Sequence, residues 1–198
     1  TRLKDKNLET IRGLSISGLA VAQALASEVF SEVIFSSDSA AYRERVESEI
    51  ASLGLNPESL RLHSREPEQA GPSTKIRDVL RTYAQSGVLR NPWLALMLPT
   101  APLRSHETLA SMVDICKKRE QPIFTACEYN FPVSFAFKPM DDEPPWQPVF
   151  DDSPMITGMT RSQDQEVFLR PHGGAAIVRV SDLAGSNSTI YHGAMPFK

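Results

Sequence analysis

Trp93-Leu94-Ala95-Leu96-Met97-Leu98 is an unbroken apolar run stopped by Pro99, the pattern of a central strand covered on both faces. Upstream, Glu32-Val33-Ile34-Phe35-Ser36-Ser37-Asp38 is a β-rich run that ends in a polar turn, and Leu60-Arg61-Leu62-His63 is a weaker strand pattern. Downstream, Pro122 to Cys127 and Gly174 to Val180 read as strands, and Ser181 to Ala184 as a short helical turn. Helical periodicity fills the intervals. Ser15 to Phe30 is small or apolar on all sides, as in a buried helix. Tyr42, Val46, Ile50 and Leu53 keep amphipathic spacing behind Ser39. Ser73 precedes Ile76, Val79, Leu80, Tyr83 and Ala84 at the same spacing and is expected to cap that helix. Ser105 precedes Leu109, Met112, Val113 and Cys116, and Lys117, Lys118 and Arg119 sit in the last turn, where the dipole favours cations. Strands alternating with helices predict an α/β fold with a mostly parallel, doubly wound sheet. Ligands in such sheets bind beyond the carboxyl ends of the strands.

Composition narrows the function classes. The 198 residues carry 21 Lys and Arg against 24 Asp and Glu, a net charge of −3. That balance argues against coating a nucleic acid. No run of about 18 apolar residues offers a membrane span, and no signal peptide is visible. Cys116 and Cys127 form no paired spacing, consistent with a reducing cytosol. The stretch from Pro139 to Asp164 differs from the rest, with five prolines between Pro139 and Pro154 and acids at Asp141, Asp142, Glu143, Asp151 and Asp152. It reads as an irregular excursion or lid within a single domain spanning residues 1–198. There is no internal repeat.

Several residues are placed to carry chemistry. Arg2, Lys4 and Lys6 put three cations in five residues ahead of Asn7, suited to clamping phosphates or simply forming a solvated basic terminus. Thr100 and Arg104 lie in a proline-stiffened loop where a central strand ends; they face a ligand, or the loop is only a rigid connection. Arg161 and Arg170 lie in Gly-bearing loops, where guanidinium forks suit either a carboxylate substrate or a surface ion pair. No Walker loop, G-x-G-x-x-G or G-x-S-x-G is present, and the four histidines have no metal-ligand spacing.

Four segments taken together resemble the acylneuraminate (nonulosonic acid) cytidylyltransferases. Arg2-Leu3-Lys4-Asp5-Lys6-Asn7-Leu8 resembles the tail of that family's amino-terminal signature, and Phe35-Ser36-Ser37-Asp38-Ser39 its S-T-D-S ending. Leu98-Pro99-Thr100-Ala101-Pro102-Leu103-Arg104 resembles Q-P-T-S-P-L-R, with Leu98 in place of Gln. Thr160-Arg161-Ser162-Gln163-Asp164 with Phe168 to Gly174 resembles the sugar-side segment. The string around Arg161 and Tyr129-Asn130-Phe131-Pro132 is closest to the pseudaminic acid branch.

The resemblance implies a Rossmann-like nucleotidyltransferase fold and a cytosolic enzyme. That enzyme joins CTP to an acidic 2-keto sugar with Mg2+ as cofactor and releases pyrophosphate. It implies that Arg2 and Lys6 hold the triphosphate and Asn7 the ribose or phosphate. Arg65, with Ser73 and Thr74 nearby, would help read cytosine, because Arg65-Glu66-Pro67-Glu68-Gln69-Ala70 matches R-P-x-E-L-A. Thr100, Arg104, Arg161, Gln163 and Arg170 would serve the sugar side. It further implies a homodimer in which residues 122–163 help close the partner's site. The family's first strand with its Gly- and Ser-bearing loop, and its carboxy-terminal acidic motif, have no counterpart within residues 1–198, so no metal ligand is assigned. The rival readings are an enzyme for an eight-carbon keto-acid sugar and a nucleotide- or sugar-binding paralogue without turnover.

Overall fold

The computed structural model describes residues 5–71, 73–185 and 189–198. The chain opens with a 3-10 turn at Lys6–Leu8 and a small hairpin of β1 (Thr10–Ile11) and β2 (Leu14–Ser15). Then follow α1 (Ile16–Ala26), β3 (Val33–Ser37), α2 (Ala40–Ser52), β4 (Leu60–Ser64), α3 (Ile76–Gln85), β5 (Trp93–Met97), α4 (His106–Arg119) and β6 (Ile123–Glu128). Short elements come next, β7 (Phe137–Pro139), β8 (Trp146–Pro148) and α5 (Pro154–Thr157), and the chain ends with β9 (Leu169–Arg179) and β10 (Met195–Phe197).

Side-chain caps set several helix starts. Ser15, Ser39 and Ser105 each accept from a backbone N–H in the first turn, at Gly18, Tyr42 and Thr108, satisfying groups that helix geometry leaves unpaired. Ser73 does not do this. Its helix begins only at Ile76, and Lys75 at the cap position makes no side-chain bond. The preceding residues are committed to a turn instead, with Thr74 N–H on the Gly71 carbonyl and Thr74 Oγ1 on the Glu68 carbonyl.

The chain divides into two compact units, residues 1–125 with 173–197, and residues 126–172 with 198. In the first, β3 pairs parallel with β4 from Val33↔Leu60 to Ser37↔Ser64. A separate four-stranded sheet has the order β10-β6-β9-β5. Within it β10 runs parallel to β6, whereas β5 pairs antiparallel with β9, from Trp93↔Arg179 to Met97↔Ala175. The pairing is therefore mixed, and the run at Trp93–Met97 ends a sheet instead of standing inside one. Its faces are covered as its composition requires. Trp93, Ala95 and Met97 pack against Leu109, Met112, Ile123 and Ile177, while Leu94 and Leu96 pack against Leu80, Val178 and Leu183. A third cluster, Val21, Ala22, Val46 and Ile50 with Val33, Phe35 and Leu60, joins α1 and α2 to β3.

The second unit overlaps the expected excursion at residues 122–163. It contains the antiparallel pair β7–β8, ring contacts between Phe137 and Trp146 and between Phe150 and Phe168, and a 3-10 turn at Ser162–Asp164. Ser134 donates to Gln165 and receives from Ser153, tying its loops together. Among the described residues no helix is long and apolar enough to cross a membrane.

Candidate functional site

The carboxyl ends of β3 and β4 meet in a polar cluster. Arg65 N–H continues the parallel ladder onto the Ser37 carbonyl at 3.1 Å, and the Arg43 guanidinium, one turn into α2, donates to that same carbonyl. Ser37 Oγ accepts from Ser39 N–H at 3.2 Å, fixing the turn that presents Asp38. Asp38 then faces Arg65 at 3.8 Å, an extended contact that leaves the guanidinium only loosely held. Deeper in, Ser36 Oγ lies 2.6 Å from the Tyr83 hydroxyl and 3.2 Å from His63 Nδ1, and the His63 and Tyr83 rings meet edge-on at 4.9 Å. Burial pushes the His63 imidazole below its ordinary pKa, and the Arg61 charge adds to that shift, so the ring is held neutral.

The amino-terminal turn is brought to this same end. The Tyr42 hydroxyl donates to Asp5 Oδ1 at 2.9 Å across 37 positions of sequence. Asp5 adopts the left-handed region with φ 52°, which Asp tolerates better than most residues. Lys6 follows, exposed, and its ammonium makes no ion pair with a described residue. Asn7 is half-buried, and with Ser37, Asp38, Tyr42, Arg65 and Pro99 it lines the mouth of a cavity of about 750 Å3.

Two buried polar atoms at this mouth, Asn7 Oδ1 and Arg65 Nε, have no hydrogen-bond partner among the described residues. Buried polar groups are rarely left so, and here an orphaned acceptor and an orphaned donor line the same cavity, where a polar ligand could satisfy both.

The other expected residues are distributed differently. Arg2 lies outside the described residues. Ser73 is exposed and Thr74 half-buried on the approach to α3, neither lining the cavity. Thr100 is exposed just beyond β5. Arg104, expected to face a ligand, is instead buried. Its guanidinium donates to the carbonyls of Leu98 and Gly174, tying the loop after β5 to β9, and burial pushes its pKa down to about 10. Its Nη1 ties the loop down, while its Nε and Nη2 have no partner among the described residues. Arg161, Gln163 and Arg170 all belong to the second unit. Arg161 is exposed and faces Asp164 at 3.7 Å, Gln163 is exposed, and the Arg170 guanidinium stands 6.0 Å over the Tyr129 ring.

No three His, Cys, Asp or Glu side chains come together as a metal cage among the described residues. Asp38, the carboxylate at the mouth, faces Arg65 instead.

No family model matches the chain, and no curated protein matches it. Solved structures do. A CMP:2-keto-3-deoxy-manno-octonic acid synthetase complexed with CTP has a TM-score of 0.57 at 14% identity, over 92% of this chain and 70% of that one. A 4-diphosphocytidyl-2C-methyl-D-erythritol synthase has 0.61 at 8% identity, over 98% and 84%. A cytidylyltransferase from Leptospira borgpetersenii serovar Hardjo-bovis has 0.53 at 12% identity, over 100% and 70%. At these identities the likeness is one of fold, and this chain has the α/β, Rossmann-like nucleotidyltransferase fold expected from its sequence.

Proposed function

We propose that the protein transfers CMP from CTP to the anomeric hydroxyl of an acidic 2-keto sugar and releases pyrophosphate. The observation that carries this reading is that two orphaned groups, Asn7 Oδ1 and Arg65 Nε, line one cavity near the end of β3. A phosphate only accepts hydrogen bonds, so it cannot satisfy the Asn7 acceptor. A cytidine supplies both kinds of partner: its amino group or ribose hydroxyls donate, and the O2 and N3 of its base accept from Arg65. The fold likeness to a synthetase complexed with CTP and to a protein named as a cytidylyltransferase supports the same assignment.

The reaction needs no covalent enzyme intermediate. The sugar's anomeric oxygen attacks the α-phosphorus, and the bond from that phosphorus to the bridging oxygen breaks. Pyrophosphate leaves with the electron pair, and the hydroxyl proton passes to solvent. Negative charge grows on the departing pyrophosphate, which Lys6, and Arg2 before it, would stabilise. Mg2+ enters as part of the substrate, carried on the triphosphate as is usual for that ion. Arg161, Gln163 and Arg170 would bind the sugar, with one guanidinium taking its carboxylate.

Among sugars, a nine-carbon nonulosonic acid of the pseudaminic type follows from the motif around Arg161. The likeness to the octonic acid synthetase favours the eight-carbon acid as the second reading. A homodimer would cover the second unit's exposed apolar side chains, among them Phe131, Ile156, Met159 and Val167. Pyrophosphate release with CTP and Mg2+ across eight- and nine-carbon acidic keto sugars tests the proposal. Release with one sugar, lost in Lys6→Ala, is the expected result; CTP binding without release from any sugar replaces it with the binding-paralogue reading.

A further inference from the structure

The turn that carries Arg161 and Gln163 has no hydrophobic anchor. Every residue from Met155 to Asp164 is exposed, so burial does little to hold this stretch in one shape. Its shape has to come from hydrogen bonds. The backbone bonds are local: Thr160 N–H on the Gly158 carbonyl, Asp164 N–H on that of Arg161 and Gln165 N–H on that of Ser162. The Arg161 side chain adds little, its guanidinium standing 3.7 Å from Asp164. Such bonds close single turns and fix nothing beyond them.

Gln165 differs. It is half-buried, whereas Asp164 and Glu166 on either side of it are exposed. Its Nε2 donates to the Met159 carbonyl at 2.8 Å and to the Arg161 carbonyl at 3.3 Å. Its Oε1 accepts from Ser134 Oγ at 2.9 Å, and the Ser134 carbonyl accepts in turn from Ser153, which is fully buried. Carbonyls only accept, so the amide nitrogen has to face Met159 and Arg161 and the amide oxygen Ser134. Among the described residues, Gln165 is the one side chain whose hydrogen bonds join residues 158–164 to a segment distant in sequence.

An exposed arginine on an unanchored turn loses backbone as well as side-chain freedom when it takes an anion, and that cost subtracts from affinity. Gln165 grips the main chain and leaves the Arg161 side chain outward. We propose that Gln165 is a positioning residue for the acidic sugar. It holds the main chain at Met159 and Arg161 against Ser134 and Ser153, so that the Arg161 guanidinium and the Gln163 amide are presented in one arrangement. This role rests on the assignment of Arg161 and Gln163 to the sugar, and Gln165 acts through that turn without touching substrate.

Steady-state kinetics of Gln165→Glu and Gln165→Leu test this, with CTP, Mg2+ and either pseudaminic acid or the eight-carbon acid, whichever the wild-type chain turns over. The first variant keeps the acceptor for Ser134 and replaces the donor by an oxygen facing two carbonyls; the second removes both. Each should raise the sugar KM about 10-fold and leave the CTP KM within about 2-fold. Combined with Arg161→Ala, Gln165→Leu should raise the sugar KM by less than about 2-fold more, because residues that act as a unit are not additive. With no substrate present, trypsin should cut after Arg161 at least ~5-fold faster in either variant than in the wild type. Unchanged cleavage overturns the proposal, as do equal rises in both KM values or full additivity with Arg161→Ala. If Arg161→Ala raises the sugar KM and the Gln165 variants do not, the positioning role alone fails. If Arg161→Ala leaves the sugar KM unchanged, or the wild type turns over neither sugar, the sugar-side assignment fails and this role with it.

Discussion

Tyr42 and Asp5 hold each other across the start of the fold, the phenolic hydroxyl on α2 donating at 2.9 Å to the carboxylate that precedes Lys6 and Asn7. Burial, and then this carboxylate, push the phenol pKa above its ordinary value, so the donor proton is retained throughout neutral pH. The bond fixes where Lys6 and Asn7 stand relative to Ser37 and Asp38. Tyr42→Phe removes the donor and little else. An exposed hydrogen bond contributes roughly 0.5–1.5 kcal/mol, so Tm should fall by no more than about 6 °C. CTP affinity should weaken about 3- to 10-fold, read by calorimetry, because the basic turn is no longer held. Unchanged affinity would dissociate this latch from the site.

Glu49 tests the packing under the first helix. Its carboxylate is buried and accepts from Ser15 N–H at 2.9 Å, Ser15 Oγ at 2.7 Å and Arg45 Nε at 2.6 Å. Burial raises its pKa, and the Ser15 and Arg45 donors outweigh burial and leave it lowered. A depressed carboxylate contributes stability above its unfolded pKa and loses it as pH falls through the folded value. Wild-type Tm should therefore drop below about pH 4, and Glu49→Gln should blunt that drop. A Cβ on Gly18 would lie 1.9 Å from Glu49 Oε2. Gly18→Ala should destabilise by about 2–4 kcal/mol in denaturant titrations, despite its better helix propensity.

Arg104 and Arg161 should separate cleanly. Arg104 is buried on two carbonyls, so Arg104→Met takes the side-chain donor from Gly174 O and leaves Leu98 O with only the Ala101 N–H, and should cost about 1–3 kcal/mol. Arg161 is exposed with only a long contact to Asp164, and Arg161→Ala should leave Tm within about 1 °C. Its effect belongs on the sugar instead, where KM should rise far more than for CTP. Equal effects on both substrates would count against a sugar-carboxylate role for Arg161.

His63 predicts a pH response near neutrality. Its folded pKa is lowered, by burial first and by the Arg61 charge next, against a smaller opposing effect of Glu66. The neutral ring is the one favoured by folding, so its contribution is complete above about pH 6.5 and is lost as pH falls toward the folded value. Thermal melts between pH 7.5 and 5.5 should show a decline that His63→Gln reduces, the amide being unable to acquire the charge. An identical decline in the variant would assign it to other groups.

Local signals were legible and long-range ones were not. Ser39 and Ser105 cap their helices as their positions ahead of amphipathic runs predict. Ser73 stands ahead of an equally good run, yet the turn it belongs to delays α3 to Ile76. The apolar run at Trp93 was recognisable as a strand packed on both faces, but nothing local to it could reveal that its partner is β9, running antiparallel some 80 positions away. β9 itself begins at Leu169, through Pro171 and a Gly173 with φ 75°, residues that conceal a strand when read singly. Asn7 and Arg65 were visible through family resemblance alone. The Ser36–His63–Tyr83 cluster joins three elements and left no local trace. Arg104 was open between a ligand and a rigid connection because a loop cation carries no local sign of its partners, and here two carbonyls take it inward.

Calorimetric titration of the purified protein with CTP in the presence of Mg2+, alongside UTP and ATP, bears most directly on the central claim. The account predicts saturable binding of CTP, at least ~10-fold tighter than UTP because Arg65 and Asn7 meet a donor–acceptor edge that uracil inverts. Arg65→Ala should abolish that preference. Equal binding of all three nucleotides, or no binding of CTP to a folded protein, would contradict it.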